Sequence, residues 1–364
     1  MSGMSAYRLR FAIVVSATLL SACGGGGGGN EAAASTAPTA TTAGVVMAPA
    51  ENAQSQASAQ PPTSSPALGD ERRAAAAQAT SQSRSNACAT IRPFYWEIGN
   101  RDGKLVSGSV AGRRTDRHYD SNTVMAIASA STWIFGAYVV QRQGGALSDS
   151  DRKFLQMRSG YVGLDNCGPS QTVDSCLASG TNGAYSAGAD GRFDDGAGHL
   201  QKHASLAGLG AMDNVALAAE VQSQIGSDVA LSYARPQPAG GLRMSPDAYA
   251  LFLRKLLDGH LLLGTLLGDG AVCTDAQTCG AQQALHSPAL ASEGWHYALA
   301  HWVEDDAARG DGAFSSGGAF GFYPWIDATK TSYGIVARAE QGGGRASALC
   351  GRLIREAWAT GAAQ

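Results

Sequence analysis

Asn122-Thr123-Val124-Met125-Ala126-Ile127-Ala128-Ser129-Ala130-Ser131-Thr132-Trp133 is the stretch that decides the fold. It passes from a polar turn into an apolar run, and a long helical segment follows from about Ser129 to Gln143. Ser129 therefore opens a helix. A helix N-terminus presents backbone N–H groups that favour a developing oxyanion. Position 132, one turn later, points to the same face. A serine placed this way is a candidate nucleophile, and the residue at 132 decides whether it can be activated.

The surrounding chain supplies the frame. Upstream, Pro93–Gly112 reads as a hairpin: Phe94-Tyr95-Trp96-Glu97-Ile98 is strand-like, Asn100-Arg101-Asp102-Gly103 is turn chemistry, and Leu105–Ala111 returns. Downstream, a short helix is expected over Asp149–Met157 with Ser148 as N-cap. Residues 159–200 are rich in Gly, Asp and Ser and read as loops. Leu206–Ile225 has helical periodicity. Ser245-Pro246-Asp247 opens a helix to Leu257 that Gly259 closes, with serine as the cap and proline in the first turn. After Trp295 the pattern becomes strands, over Trp295–Glu304, Ala319–Ile326 and Ser332–Ala339. An apolar-striped helix, Ala346–Thr360, ends the chain. Hairpin, helical middle, three strands and terminal helix make an α+β pattern.

Four stretches, in this order, resemble the serine β-lactamase and penicillin-binding-protein superfamily, above all its class C-like esterases and carboxypeptidases. Asn122–Trp133 is similar to the segment into the Ser-x-x-Lys motif. Leu155-Gln156-Met157-Arg158-Ser159-Gly160-Tyr161 is similar to the helix end that often reads His-Thr-Ser-Gly-Leu. Pro238-Ala239-Gly240-Gly241-Leu242-Arg243-Met244-Ser245 and the helix to Leu257 resemble the family's glycine turn and following helix. Phe314-Ser315-Ser316-Gly317-Gly318-Ala319-Phe320-Gly321, then Tyr323-Pro324-Trp325-Ile326-Asp327, resembles the strand of the Lys-Thr-Gly or His-x-Gly motif. The resemblance covers residues 94–358. It implies an antiparallel sheet flanked by helices, with a mostly helical second lobe. It also implies an ester, amide or peptide substrate held as a Ser129 acyl-enzyme, a second oxyanion N–H around Gly318, a tyrosine in the proton relay, and no cofactor.

The chain departs from that pattern where the chemistry is done. Position 132 is threonine instead of lysine, and a threonine hydroxyl has no useful basicity near neutral pH. Aligning Gly191-Arg192-Phe193-Asp194-Asp195-Gly196-Ala197-Gly198 with the family's Phe-x-Tyr-Ser-Asn stretch puts Asp195 at the tyrosine position, with Tyr185 as the rival. Ser315 stands where the family has Lys or His, while Ser316-Gly317-Gly318 keeps the small residues that let a substrate lie along the strand. His199, Lys202 and His203 are candidate substitute bases, against a plainer reading as a partly exposed helix edge. A positioned base is worth roughly 10² to 10⁴ in rate, and a whole nucleophile–base unit on the order of 10⁶. Oxyanion stabilisation and binding alone leave roughly 10³ to 10⁴ over water. Two main readings stay open. One is a serine hydrolase with a non-family base such as Asp195, His199 or Lys202. The other is a catalytically degenerate cell-envelope protein that binds a small molecule or peptide, including a cell-wall-derived one, in the same pocket. A purely structural lipoprotein is a third.

Composition limits the alternatives. Net charge is −3, with no basic run after the N-terminal segment, which argues against nucleic acid as a partner. No Cys-x-x-Cys or neighbouring His pattern points to a metal, and Asp190-Gly191 and Asp194-Asp195 read as solvated loop. Of seven cysteines, Cys23 belongs to the N-terminal signal and six remain. Cys167 with Cys176 and Cys273 with Cys279 each bracket a short polar loop. Cys88 and Cys350 lie at the two ends of the globular part, and proximity pairs all three sets as disulfides.

The N-terminus reads as an export signal. Arg8 and Arg10 precede the apolar run Phe11–Leu20, too short to span a bilayer. Leu20-Ser21-Ala22-Cys23 resembles the bacterial lipobox, which implies a signal peptide over 1–22 and a lipid on Cys23. Residues 23–87, with Gly24–Gly29 followed by Ala, Thr, Ser, Gln and Pro, read as a disordered tether; Ala74–Ala77 has short-helix character. As a coil the tether spans on the order of 45 Å. The hydrolase-like domain is then expected over 88–364. Glycine at position 24, in place of the aspartate that tends to retain such lipoproteins at the inner membrane, implies the outer membrane, facing the periplasm.

Overall fold

The computed structural model describes residues 69–364, apart from 113–115, 281, 290–292 and 307–309. The expected signal peptide (1–22), the lipid site Cys23 and the tether as far as residue 68 lie outside the described residues.

The expected tether boundary at residue 87 needs correction, because Asp70–Gln82 is a helix, α1. Alanine is the best helix former, and this run is alanine-rich. α1 buries Ala76, Ala77, Thr80 and Ser81, and its partners come from the far end of the chain. Arg72 Nε donates to the Gly361 carbonyl at 3.2 Å, and the Gln364 N–H donates to Thr80 Oγ1 at 2.9 Å. Arg73 lies over the Trp358 ring. The folded unit therefore includes α1, extending N-terminal to the expected boundary.

Next come the hairpin β1 (Phe94–Asn100) and β2 (Lys104–Val110), the short β3 (Met125–Ala126), a 3-10 turn (Ala128–Ala130) and α2 (Ser131–Arg142). Residues 131–140 of α2 are all buried, so this helix is the centre of the helical lobe rather than a surface helix. α3 (Asp149–Leu155) carries a full capping box from Ser148. α4 (Val173–Leu177), β4 (Phe193–Asp194) and α5 (Gly198–Ala204) sit among loops. The expected single helix over 206–225 is interrupted, because Gly208 adopts φ 83°. α6 (Asn214–Ile225) starts afresh, with the Asp213 side chain capping Val215 and Ala216. β5 (Ser232–Tyr233), β6 (Leu242–Met244) and α7 (Pro246–Leu257) follow, the last capped by Ser245 as its sequence predicts.

β7 (Val272–Cys273), β8 (Ala284–His286), β9 (His296–Tyr297), β10 (Trp302–Glu304), β11 (Ala313–Ser315), β12 (Tyr323–Ile326), β13 (Ser332–Ala337) and α8 (Gly344–Thr360) complete the chain. The expected strand over Trp295–Glu304 is instead two strands folded back on each other, with Tyr297 opposite Trp302. The expected strand over Ala319–Ile326 starts only at Tyr323. Residues before it form a turn in which Gly321, at φ 98°, donates to the Gly318 carbonyl.

The main sheet has the order β2-β1-β13-β12-β11-β10-β9-β7, antiparallel throughout. On one face Phe94, Trp96, Ile98, Trp325 and Val336 pack with Ile354 and Trp358 of α8. On the other, Tyr95, Tyr333 and Ile335 belong to the core of the helical lobe. This is the α+β architecture of a sheet between a helical layer and a helical lobe. Disulfides join Cys88 to Cys350, Cys167 to Cys176, and Cys273 to Cys279. Among the described residues no helix is long and apolar enough to cross a membrane.

Candidate functional site

Ser129 is solvent-exposed at the point where the 3-10 turn meets α2. Everything around it is fixed. The Ile127 N–H donates to the Leu242 carbonyl, hanging the turn on β6. Ser131 Oγ donates to the Ala128 carbonyl at 2.6 Å, and Tyr249 Oη donates to the Ala130 carbonyl at 2.9 Å. Ala128 itself lies at φ 47°, a conformation that costs an L-residue roughly 1–2 kcal/mol. Rigid surroundings present one exposed hydroxyl to the cleft.

The lysine position holds a buried threonine. Thr132 Oγ1 lies 2.9 Å from the Ser129 carbonyl oxygen, 3.2 Å from the Ala300 carbonyl oxygen and 3.0 Å from Ser316 Oγ. Ser316 Oγ in turn donates to the Ser129 carbonyl at 3.2 Å. No side chain among the described residues hydrogen-bonds the Ser129 hydroxyl.

The strand register differs from the expectation. Ser315, expected at the Lys or His position, points to the opposite face of the sheet and donates to Glu304 at 2.6 Å. Ser316 is the residue that faces Thr132. Burial alone would raise the Glu304 pKa, but the Arg355 and Arg352 guanidinium groups, at 2.7 and 2.9 Å, outweigh it and hold the carboxyl at about 2.

Gly318 was the expected oxyanion donor, and its N–H is already engaged with the Phe322 carbonyl at 2.8 Å. The Ser316 N–H likewise points to Pro324. Alternation along a strand turns the intervening Gly317 N–H the other way. Gly317 lines the cavities on the Ser129 side, and its N–H makes no backbone hydrogen bond among the described residues. Gly318 has a different role. A Cβ there would lie 2.0 Å from the Ile127 carbonyl oxygen, so only glycine lets the strand close onto the Ser129 turn.

Asp195 does share the site. It lines the same two cavities as Ser129, of about 240 and 150 Å³. Its surface opens to solvent while the cleft walls crowd its carboxyl. Desolvation pushes its pKa up to about 6, against the pull of His286 and with a small push from Asp194.

The other candidate bases are occupied elsewhere. His199 is fully buried: its Nδ1 accepts from Ser159, whose Oγ is 2.6 Å away, and its Nε2–H donates to the Asp194 carbonyl at 3.1 Å. Burial lowers its pKa to about 4. His203 is bound to Asp151 at 2.8 Å, and Lys202 lies over the Tyr161 ring. Tyr185 is exposed against Tyr161 and lies outside the cavities that hold Ser129.

A tyrosine reaches the site from an unexpected element. Tyr297 of β9 lines the 150 Å³ cavity with Ser129, Thr132 and Ser316, and its phenol interacts with both Thr132 and Asp195. Burial, helped by the Asp195 charge, holds its pKa above the ordinary range, so it is a proton donor rather than a base. In sequence it is one aromatic in a strand, and only the pairing of β9 with β10 brings it beneath α2.

The cavities join into a cleft with Ser129 at its middle. On the α8 side stand Trp295, Trp302, Glu293, Arg345 and Arg352. Among the described residues no cluster of three His, Cys, Asp or Glu could hold a metal ion.

This is the fold of the β-lactamase and penicillin-binding-protein class of serine hydrolases. A D-stereospecific amidohydrolase from a Streptomyces species superposes with a TM-score of 0.53 at 11% identity, over 81% of this chain and 100% of that one. A mutant of simvastatin synthase from Aspergillus terreus gives 0.51 at 13% identity, over 82% and 99%. An octameric penicillin-binding protein homologue from Pyrococcus abyssi gives 0.50 at 14% identity, over 75% and 74%. No protein-family model and no curated protein matches the chain.

Proposed function

We propose that the chain is a ligand-binding protein built on the serine-hydrolase fold, with the Ser129 cleft kept and the lysine-driven proton relay lost. The observation that carries this reading is the Thr132 hydroxyl. It is committed to two carbonyls and Ser316, and among the described residues no base hydrogen-bonds Ser129 Oγ. Without proton removal a serine hydroxyl is a poor nucleophile. Reaction of the chain with a fluorophosphonate or a penicillin-type probe, read by intact mass, tests it. The reading expects no Ser129 adduct at neutral pH, and fast stoichiometric labelling that disappears in Ser129→Ala contradicts it.

A second reading rests on Asp195, a carboxyl near pKa 6 in the same cavities as Ser129. In this reading Asp195 is the proton acceptor for slow acyl transfer to an ester, amide or peptide. Labelling that rises with pH through about 6 and vanishes in Asp195→Asn favours it; pH-independent labelling sinks it.

For location, we propose export, removal of residues 1–22 and lipidation of Cys23, with the domain held at the outer membrane facing the periplasm. The order of charge, apolar run, small residues and cysteine supports this. Incorporation of an alkyne fatty acid that is lost in Cys23→Ala, with outer-membrane fractionation, tests it; a soluble, unlabelled chain overturns it.

A further inference from the structure

A polar cavity of about 400 Å³ opens in the loop over residues 185–192. It is lined by Ala187, Gly188, Asp190, Gly191, Arg192 and Gln282, none of which lines a cavity that holds Ser129. Its functional groups are a carboxylate, a guanidinium and an amide. Together they offer hydrogen-bond acceptors and donors within reach of one small ligand. No apolar side chain larger than alanine lines it, so an acyl chain finds no matching surface there.

Tyr185 adjoins this cavity. Among the described residues it is the only Phe, Tyr or Trp that is exposed, at 53%. Its phenol interacts with the Asp190 carboxylate, which joins the ring to the cavity wall. Part of the ring covers Gly160, with a ring carbon 2.7 Å from the place of a Gly160 Cβ, and packs at a tilt on Tyr161. The rest of it faces solvent. The loop is held by its own backbone. The Ala189 and Asp190 N–H groups both donate to the Ser186 carbonyl, at 3.0 and 3.1 Å, and the Gly191 N–H donates to the Arg158 carbonyl at 2.8 Å. Arg158 Nε donates in return to the Gly191 carbonyl, and Lys153 holds Asp190 at 2.6 Å. The Phe193 N–H donates to the Gln283 carbonyl at 2.8 Å, which seats Gln282 beside the loop. An open aromatic surface and a polar pocket are thus held at a fixed spacing before any ligand arrives.

We infer that this surface binds a pyranose sugar with equatorial hydroxyls, such as a β-linked glucose unit, at a site separate from the Ser129 cleft. Such a ring has flat C–H faces and a rim of hydroxyls. The C–H face fits the electron-rich face of Tyr185. The hydroxyl rim meets Asp190 as acceptor, Arg192 as donor and Gln282 as both, and bonds to the two charged groups are the stronger ones. The inference goes beyond the reading of the Ser129 cleft and does not depend on it.

Ligand-observed NMR titration of the full chain with cellotriose, against sorbitol, tests this. Sorbitol carries the hydroxyls without the ring face. Cellotriose is expected to bind at least about tenfold more tightly than sorbitol, and Tyr185→Ala should weaken it about tenfold, the worth of one stacked ring. Tyr185→Phe keeps the face and should stay within about threefold of the native chain. Gln282→Ala should weaken cellotriose about fivefold, the worth of one hydrogen bond. Both positions are exposed, so the thermal midpoints of these variants should match that of the native chain. Cellotriose binding no tighter than sorbitol, or no binding of cellotriose at all, overturns the site. So does cellotriose binding that is unchanged in Tyr185→Ala, which would place the sugar elsewhere on the protein.

Discussion

Thr132 Oγ1 and Ser316 Oγ face each other at 3.0 Å beneath the backbone of Ser129. Each hydroxyl has one proton to donate. The two protons serve the carbonyls of Ser129 and Ala300 and the contact between the hydroxyls themselves. The resemblance expects a cation at position 132 and another in the strand motif. Here the two facing positions form one neutral, closed unit, which stabilises the turn and takes no proton from Ser129.

That unit should be measurable as stability. Thr132→Val keeps the shape and removes the hydroxyl, so the Ala300 carbonyl loses its side-chain donor while Ser316 keeps only the Ser129 carbonyl. A loss of about 1–3 kcal/mol is expected in urea denaturation, most of it recovered in Thr132→Ser. An unchanged midpoint for the valine variant would show that the network is decorative.

Glycine at 318 is required by space rather than by φ. Gly318→Ala drives a methyl into the Ile127 carbonyl oxygen and should cost about 1–3 kcal/mol. Gly240→Ala is the control, because its nearest neighbour, the Gln237 amide, lies at an ordinary 3.6 Å. Equal thermal stability of the two variants would contradict the close approach of the strand to the Ser129 turn.

The pH response follows from two buried histidines. Burial holds both His199 and His301 at about 4 in the folded chain, against 6.5 when unfolded. Between these values the unfolded state binds more protons, so stability falls as pH is lowered from about 6.5 to 4, by on the order of 3 kcal/mol per histidine. Asp195 acts in the opposite sense. Its raised pKa gives a contribution present below about 3.8 and lost as pH rises through about 6. Because Asp195 faces solvent, the histidines should dominate. The urea midpoint should therefore drop from pH 7 to pH 4, less steeply in His199→Gln and more steeply in Asp195→Asn.

The disulfides should differ in worth. Cys88–Cys350 joins residues 262 apart, and Cys273–Cys279 residues 6 apart. In the chain-entropy picture these are worth about 5.5 and about 2 kcal/mol. Paired Cys→Ala variants compared by urea denaturation should show the larger loss for the long bridge, and the reverse order would mean that the contacts of α1 with α8 already hold the ends together.

Much of the frame was legible in the sequence because its signals are local. Ser245-Pro246 caps α7, Ser148 caps α3, and the Asn100–Gly103 turn closes the hairpin where expected. The missed features depend on contacts distant in the chain. α1 buries only small side chains, so no apolar stripe marks it. Ser315 and Ser316 are adjacent serines on opposite faces, and a one-residue slip exchanges them. Tyr297 enters the site only because β9 pairs with β10. In sequence His199 reads as a candidate base; in the fold Ser159 and the Asp194 carbonyl occupy both of its ring nitrogens.

The central claim concerns proton removal from Ser129, and the rate of Ser129 acylation measures it most directly. With a fluorophosphonate probe at neutral pH, the native chain should react no faster than Ser129→Ala. If labelling appears in Thr132→Lys, it should be at Ser129 and at least about 10²-fold faster than in the native chain, the scale of a restored base. Rapid labelling of native Ser129, unaffected by changes at position 132, would contradict the account.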